Sequence, residues 1–97
     1  MAAYVIAETE VYDEEQFRRY RELAAPSVAQ YGGRYLTRGM SPQVPEGEWP
    51  PDAQLVIIEF PDLARVREWY ASPEYAEALA LRQSALGRRL IFVEGVA

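Results

Sequence analysis

The sequence predicts one small α+β domain in which a four-stranded antiparallel sheet carries its helices on one face. Strand-like and helix-like patterns alternate along the chain as β-α-β-β-α-β. The chain has 97 residues, which is the size of a single domain. Its composition, with 49% hydrophobic and 26% charged residues, is that of an ordinary globular protein. We therefore expect residues 1–97 to form one domain with a thin core.

The first strand and the first helix occupy the N-terminal third. Strand-forming residues fill Ala3 to Val11, and Asp13 with Gln16 three residues later has the capping-box pattern that begins a helix. Apolar side chains then recur at steps of three and four residues: Phe17, Tyr20, Ala24, Val28 and Tyr31. This spacing predicts a helix from about Glu14 to Tyr31. Pro26 lies inside it and predicts a kink or a short break there.

A second strand and a long loop follow. Gly32 and Gly33 predict the end of the helix and a reversal into a strand from Arg34 to about Arg38. Met40 to Asp52 contains four of the seven prolines and no periodicity, so we expect a connecting loop. Trp49 is a large apolar side chain on this loop and needs a surface to cover.

The C-terminal half repeats the strand, helix and strand order. Ala53 to Phe60 has the strongest strand pattern of the chain and is predicted to be a central strand. Ser72 and Pro73 break and restart the helix that follows, with serine as the N-cap and proline at the first helical position. Gly87 is expected to end this helix, and Arg89 to Glu94 to form the last strand.

Elements in this order predict a ferredoxin-like sheet, in the spatial order 4-1-3-2, with the helices on one face. The other face is bare in a single chain, yet the strands are apolar on both sides: Tyr4 and Ile6 oppose Val5 and Ala7, for example. A sheet with one face in water alternates apolar and polar residues instead. We therefore predict a homodimer in which this face packs against the same face of a second copy.

Charge and composition argue against several classes of function. The net charge is −5 and the ten basic residues are scattered, which argues against a nucleic-acid partner. The chain has no cysteine and no histidine, so it has no thiolate nucleophile and none of the usual transition-metal ligands. We predict no metal and no cofactor, and expect any chemistry to come from carboxylates, tyrosine, arginine or backbone groups.

No targeting or membrane segment is expected. The N-terminus enters a strand directly, without a charged region followed by an apolar stretch. Every uninterrupted apolar run in the sequence is far shorter than the ~20 residues of a membrane span. These observations predict a cytoplasmic protein.

Several short motifs follow one another along nearly the whole chain: Tyr31-Gly32-Gly33-Arg34-Tyr35-Leu36-Thr37-Arg38-Gly39, Glu46-Gly47-x-Trp49, Val56-Ile57-Ile58-Glu59-Phe60-Pro61, and Trp69-x-x-Ser72-Pro73-Glu74-Tyr75. The ordered series resembles the DUF1330 family, a family of unknown function. The resemblance implies a dimeric α/β barrel, which agrees with the ferredoxin-like fold and the homodimer predicted above from the strand patterns. Such barrels include cofactor-free monooxygenases, dehydratases, isomerases and small-molecule binders, so the resemblance implies a pocket but no single reaction.

Glu59 is the candidate catalytic residue. It ends the most apolar strand, and Glu8 is expected at the equivalent place on a parallel neighbouring strand, with Arg34 close enough to pair with Glu59. A partly desolvated carboxylate in this place can have a raised pKa and act as a base. The alternative is a solvated ion pair at the end of a strand, with a structural role.

Four further residues are candidate ligand contacts. Arg82 interrupts an apolar helical stripe and can bind an anionic or carbonyl oxygen in a pocket with Tyr20 and Trp69. Alternatively its stem covers apolar surface and its head pairs with a carboxylate such as Glu59 or Glu94. Arg38 either contacts an anion at the pocket mouth or pairs with an acidic loop residue. Tyr20 and Trp69 have the spacing of core aromatics as well.

Three hypotheses for the function remain open. The first is a cofactor-independent enzyme acting on a small oxygenated metabolite in a pocket between sheet and helices, with Glu59 as base and Arg82 and Arg38 as oxyanion or carboxylate contacts. The second is a non-catalytic binding or accessory domain that carries a small molecule. The third is a purely structural dimer module.

Overall fold

The computed structural model describes residues 1–96, which form four strands and three helices. In chain order they are β1 (Ala3–Val11), α1 (Glu14–Gln30), β2 (Arg34–Met40), β3 (Gln54–Phe60), α2 (Leu63–Tyr70), α3 (Pro73–Ala85) and β4 (Leu86–Glu94). The α+β ferredoxin-like fold predicted from the sequence is confirmed, with the broken second helix present as α2 and α3. None of the helices within these residues is long and apolar enough to cross a membrane.

The four strands form one antiparallel sheet in the order β2-β3-β1-β4. The expectation that β1 and β3 run parallel was wrong, because Tyr4 lies opposite Glu59 and Glu8 lies opposite Leu55. The reason is topological: α1 returns the chain so that β2 runs parallel to β1, and β3 then reverses direction from β2. Glu8 and Glu59 therefore lie at opposite ends of the β1–β3 pair and form no carboxylate pair.

Local capping residues begin the helices as the sequence predicts. The Asp13 carboxylate accepts a hydrogen bond from the Gln16 N–H at 3.0 Å, and Ser72 Oγ accepts one from the Tyr75 N–H at 3.1 Å. Helix α1 continues through Pro26, so the predicted break does not form. Pro26 is exposed, on the solvent side of the helix.

β4 begins three residues earlier than predicted, and Gly87 lies inside the strand instead of ending the helix. β1 is long enough to pair Val11 with Leu86 and so draws these residues into the sheet. A Cβ atom built on Gly87 would overlap the Tyr12 ring and its hydroxyl oxygen. Glycine is thus required here by the close approach of a tyrosine side chain.

Trp69 is the centre of the core on the helix side of the sheet. Its ring centroid lies 5.4 Å from that of Phe60 and 4.3 Å from that of Tyr75, and all three side chains are buried. The indole N–H donates to Ser27 Oγ at 3.0 Å, and the Ser27 hydroxyl donates to the Ala24 carbonyl at 2.7 Å. The largest core side chain is therefore buried with its polar group satisfied.

The opposite side of the sheet, which we call the open face, has no helix on it. Its apolar side chains include Tyr4, Ile6, Leu55, Ile57, Ile91 and Val93. In the single chain Ile91 is 48% exposed and Val93 is 43% exposed. Trp49 covers part of this face, lining a shallow groove of about 900 Å³, and its indole N–H donates to the Ala53 carbonyl at 3.0 Å.

The turn after α1 provides a test of the packing between α1 and β3. We predict that Gly33→Ala lowers the free energy of unfolding by about 1–3 kcal/mol, because overpacking a filled core has this cost. The added Cβ would lie 2.7 Å from Phe60 Cζ and 2.8 Å from Val28 Cγ1, both on buried side chains. Chemical denaturation measures the change. The control is Gln30→Ala at an exposed helix position, which should change stability by less than about 0.5 kcal/mol; equal stability of the two variants would contradict the packing described.

Candidate ligand-binding cavity

A cavity of about 310 Å³ lies between the sheet and the helices, on the side opposite the open face. Its apolar wall is made by Val5, Ala7, Ala24, Val56, Ile58, Leu86 and Leu90. Its aromatic lining residues are Phe17, Tyr20, Tyr35 and Trp69. Its charged lining residues are Glu14, Arg21, Arg38 and Arg82. Apolar walls with a few polar groups are typical of small-molecule sites.

A bulge in β2 brings Tyr35 and Arg38 to the same cavity. Side chains alternate along a regular strand, so residues three apart face opposite sides. In β2 the register shifts between Tyr35 and Thr37, and the extra residue restores both side chains to the helix side. Tyr35 then lies opposite Ile58 and Arg38 opposite Val56.

The four predicted ligand contacts lie together. Tyr20, Arg38, Trp69 and Arg82 come from four different elements, and all of them line this cavity. Trp69 belongs to the core as well, where it is 1% exposed. Their roles in binding stay predictions, but the fold supplies the shared pocket that such roles require.

Arg21, Arg38 and Arg82 line the cavity without a carboxylate partner. Within residues 1–96 none of them takes part in an ion pair. The pairing of Arg82 with Glu59, which the sequence left open, does not occur. The guanidinium carbon of Arg38 lies 4.6 Å from the Tyr35 ring centroid, and that of Arg21 lies 4.8 Å from the Phe17 ring centroid. Cation–π contacts with lining aromatics therefore hold two of the three cations.

The hydroxyl of Tyr35, which lines the cavity, remains protonated near neutral pH. Burial raises the pKa of Tyr35 to about 12, against a smaller opposing effect of the nearby Arg38 charge. Burial also raises the pKa of Tyr75, whose hydroxyl oxygen lies 2.9 Å from that of Tyr20. The Tyr35 phenol can donate a hydrogen bond to a ligand in the cavity, but it is a poor base.

Glu59 lies on the open face and not in the cavity. Its carboxylate accepts hydrogen bonds from Arg34 Nε at 2.8 Å and from the Tyr4 hydroxyl at 3.2 Å. The hydrogen bond from Arg34 is the main reason that the pKa of Glu59 is lowered, which opposes the raised value that a base needs. Its geometry is that of the strand-end ion pair named as the alternative, and the sheet separates it from Arg82.

Glu8 is held in a separate ion-pair cluster at the other end of the sheet. Arg88 Nε pairs with one oxygen of Glu8, and Arg89 Nε lies 3.4 Å from the other. Arg88 also lies 3.5 Å from Glu10, and its φ of 81° turns its side chain toward these carboxylates. This arrangement is a cross-strand structural contact.

Sequence reasoning missed Glu14, Phe17, Arg21 and Tyr35 as lining residues. Phe17 and Arg21 are four residues apart on α1, the spacing that places side chains on one helix face, and this was the available signal. Nothing in the sequence marked Tyr35, because its orientation relative to Arg38 depends on the bulge. Within residues 1–96 no group of three or more Asp, Glu, His or Cys side chains is placed to hold a metal ion.

The Glu59 ion pair predicts a specific dependence of stability on pH. Because the pKa of Glu59 is lower in the folded chain than its ordinary value of 4.5, its contribution is complete above that pH and is lost as the pH falls through the folded pKa. The difference in unfolding free energy between the natural chain and Glu59→Gln should therefore shrink on acidification. Urea denaturation at neutral pH and in acid measures it. Glu46→Gln, on the exposed loop, is the control; a difference that grows in acid would contradict the assignment.

The model of the family described as "Domain of unknown function (DUF1330)" matches residues 2–96. Among solved structures, a protein of unknown function from Rhodopseudomonas palustris has a TM-score of 0.74 and 22% identity, covering 99% of this chain and 83% of that one. SnoaB from Streptomyces nogalater, described as a cofactor-independent oxygenase, has a TM-score of 0.67 and 12% identity, with 99% and 93% covered.

A third similar structure is a dimeric protein of unknown function with a ferredoxin-like fold from Bacteroides fragilis, with a TM-score of 0.58 and 15% identity, and 97% and 96% of the two chains covered. The search of curated proteins found no match. At these identities the structures establish a shared fold and nothing further. The family match covers nearly the whole chain, and the protein therefore belongs to the DUF1330 family.

Proposed function

We propose that this protein is a cofactor-independent enzyme that acts on a small oxygenated metabolite in the cavity between sheet and helices. The observation that carries the proposal is the set of arginines lining the cavity without a carboxylate partner among the described residues. Arginines placed beside a small apolar pocket can stabilise negative charge that develops on a substrate oxygen. The fold shared with SnoaB supports this reading by analogy.

Isomerisation, dehydration and oxygenation can share one chemical step, the removal of a proton from a carbon beside a carbonyl group. The proton passes to a base, the electron pair of the broken C–H bond forms a C=C bond, and the π pair of the carbonyl group moves onto its oxygen to give an enolate. Arg38 and Arg82 are proposed to stabilise that oxyanion, and the Tyr20 hydroxyl to donate a hydrogen bond to the substrate. The cavity thus carries the groups that this step requires on the oxygen side of the substrate.

The proposal assigns the base role to Glu14 in preference to Glu59. Glu14 is the carboxylate that lines the cavity. Glu59 lies on the open face, where its pKa is lowered by Arg34. Tyr35 is left as a hydrogen-bond donor, because burial raises its pKa to about 12 and its phenol therefore does not accept a proton near neutral pH.

A non-catalytic binding domain is the second candidate. It is favoured by the exposure of Glu14 at the start of α1, since an exposed carboxylate is not enclosed with the substrate in a site that excludes water. In this case the same cavity would bind its ligand without turnover.

A deuterium-exchange assay distinguishes the two candidates. Compounds that raise the melting temperature are incubated with the protein in heavy water, and mass spectrometry measures deuterium at the carbon beside the carbonyl. We predict exchange with the natural chain and a loss of ~100-fold or more in Glu14→Gln, the range typical of a lost general base.

The matched control is Glu15→Gln, one residue further along α1, which pairs with Arg18 outside the cavity. This variant and Glu59→Gln should exchange at the natural rate. Binding without exchange would contradict catalysis and favour the binding domain, and a loss in Glu59→Gln alone would return the base role to Glu59.

The proposal includes a homodimer formed through the open face. Ile91, Val93 and Leu36 are 43–49% exposed in the single chain, on a surface that no helix covers. Packing these side chains against a second copy removes apolar surface from water. The structure described as dimeric, from Bacteroides fragilis, supports this expectation at the level of the fold.

We predict that Ile91→Asp converts the dimer to a monomer at micromolar concentration, because it places a charge in the centre of the proposed interface. Sedimentation velocity measures the mass. The control is Ala80→Asp, which adds the same charge at an exposed position of α3 and should stay dimeric. A natural chain that sediments as a monomer of 11.1 kDa would contradict the dimer.

A further inference from the structure

The arginines are distributed unevenly between ion pairs and the cavity. The chain has ten arginines and no lysine. Five of them form ion pairs within residues 1–96: Arg18, Arg19, Arg34, Arg88 and Arg89. Three of the other five line the cavity between sheet and helices. The cations without a carboxylate partner are thus concentrated where a ligand would enter.

The charge of the cavity is opposite in sign to that of the protein. Its lining carries Arg21, Arg38 and Arg82 against the single carboxylate of Glu14, whereas the whole chain has a net charge of −5. A positive potential enclosed by low-dielectric walls concentrates anions in the cleft. Guanidinium groups offer two parallel donors that match a carboxylate.

The remainder of the cavity fits a small flat group. Phe17 and Tyr35 each carry a guanidinium at 4.6–4.8 Å from the ring centroid, so the charged groups and the aromatic rings adjoin each other. The volume of about 310 Å³ is at the lower end of the range for small-molecule sites, ~300–1,000 Å³. Such a volume suits one ring with a short substituent better than a fused polycyclic system.

We infer that the cavity selects a small organic acid with a single planar ring, whose carboxylate contacts Arg21, Arg38 and Arg82 while its ring packs against the aromatic lining. This inference rests on the proposed function, for which it names the class of substrate. It also assigns Arg21 and Phe17 as ligand-positioning residues.

Matched acids and amides test the charge requirement. The probes are benzoate, phenylacetate and salicylate with their three amides, and 9-anthracenecarboxylate as the oversized acid. Isothermal titration should give at least about tenfold tighter binding for a single-ring acid than for its amide, because charge-assisted hydrogen bonds are lost in the amide. The fused acid should bind more weakly than the single-ring acids.

Neutral variants of Arg38 and Arg82 test whether these side chains contact the carboxylate of the ligand. Arg38→Gln and Arg82→Gln should each weaken binding of the acid by about tenfold and leave the amide nearly unchanged. Arg65→Gln is the matched control, because Arg65 lies outside the cavity lining and has no ion pair within residues 1–96. Circular dichroism of each variant establishes that the fold is retained.

The outcomes separate this inference from the proposed function. The acid specificity would be overturned if the acids bound no more tightly than their amides, or if no single-ring acid bound at all. It would also be overturned if Arg65→Gln weakened acid binding as much as Arg38→Gln and Arg82→Gln do. Deuterium exchange with a neutral ketone would in that case leave the proposed enzyme standing. Selective acid binding, without deuterium exchange of any bound acid or ketone that carries hydrogen on the carbon beside its carbonyl group, would overturn the enzyme and retain the acid site.

Discussion

The antiparallel pairing of β1 with β3 determines which side chains face the helices and which face a partner. Val5 lies opposite Ile58 on the helix side, and Tyr4 lies opposite Glu59 on the open face. Because side chains alternate along each strand, the register of this pair determines which face of the sheet every side chain of β1 and β3 lies on. A shift by one residue would exchange the apolar cavity wall with the Glu59 ion pair. The core, the cavity and the proposed dimer surface therefore depend on the same pairing.

The features that depend on local chemistry, namely the helix caps and the order of strands and helices, could be predicted from the sequence. Asp13 and Ser72 cap helices where their short polar side chains predict it, and the order of elements follows from periodicity. The direction of β3 relative to β1 was misjudged, although the β-α-β-β order implies it. As a result Glu8 was placed beside Glu59, whereas the register puts them at opposite ends.

The cavity was predictable only in part. Arg82 and Tyr20 could be recognised because they lie on helices, where spacing determines the face. The orientation of Arg38 together with Tyr35 depends on an irregularity in β2 that no residue pattern marked. The absence of an ion-pair partner for Arg21 within residues 1–96 is a property of three-dimensional placement, since acidic residues are common elsewhere on α1.

The two sides of the sheet differ in how their charged side chains are paired. On the open face, Glu59 with Arg34 and Glu8 with Arg88 satisfy one another and lie around apolar side chains. On the helix side, three arginines line an apolar cavity with one carboxylate. Positive charges that line a cleft with low-dielectric walls raise the local concentration of anions. This contrast is the physical basis for locating function in the cavity.

Chemical-shift mapping tests most directly whether the cavity is the functional site. Amide resonances of isotopically labelled protein are followed during titration with the single-ring acid that binds most tightly. The account predicts the largest shifts in the β2 bulge around Arg38 and along α1 from Phe17 to Arg21. Shifts confined to the open-face groove around Trp49 would contradict it and would place ligand binding on the other side of the sheet.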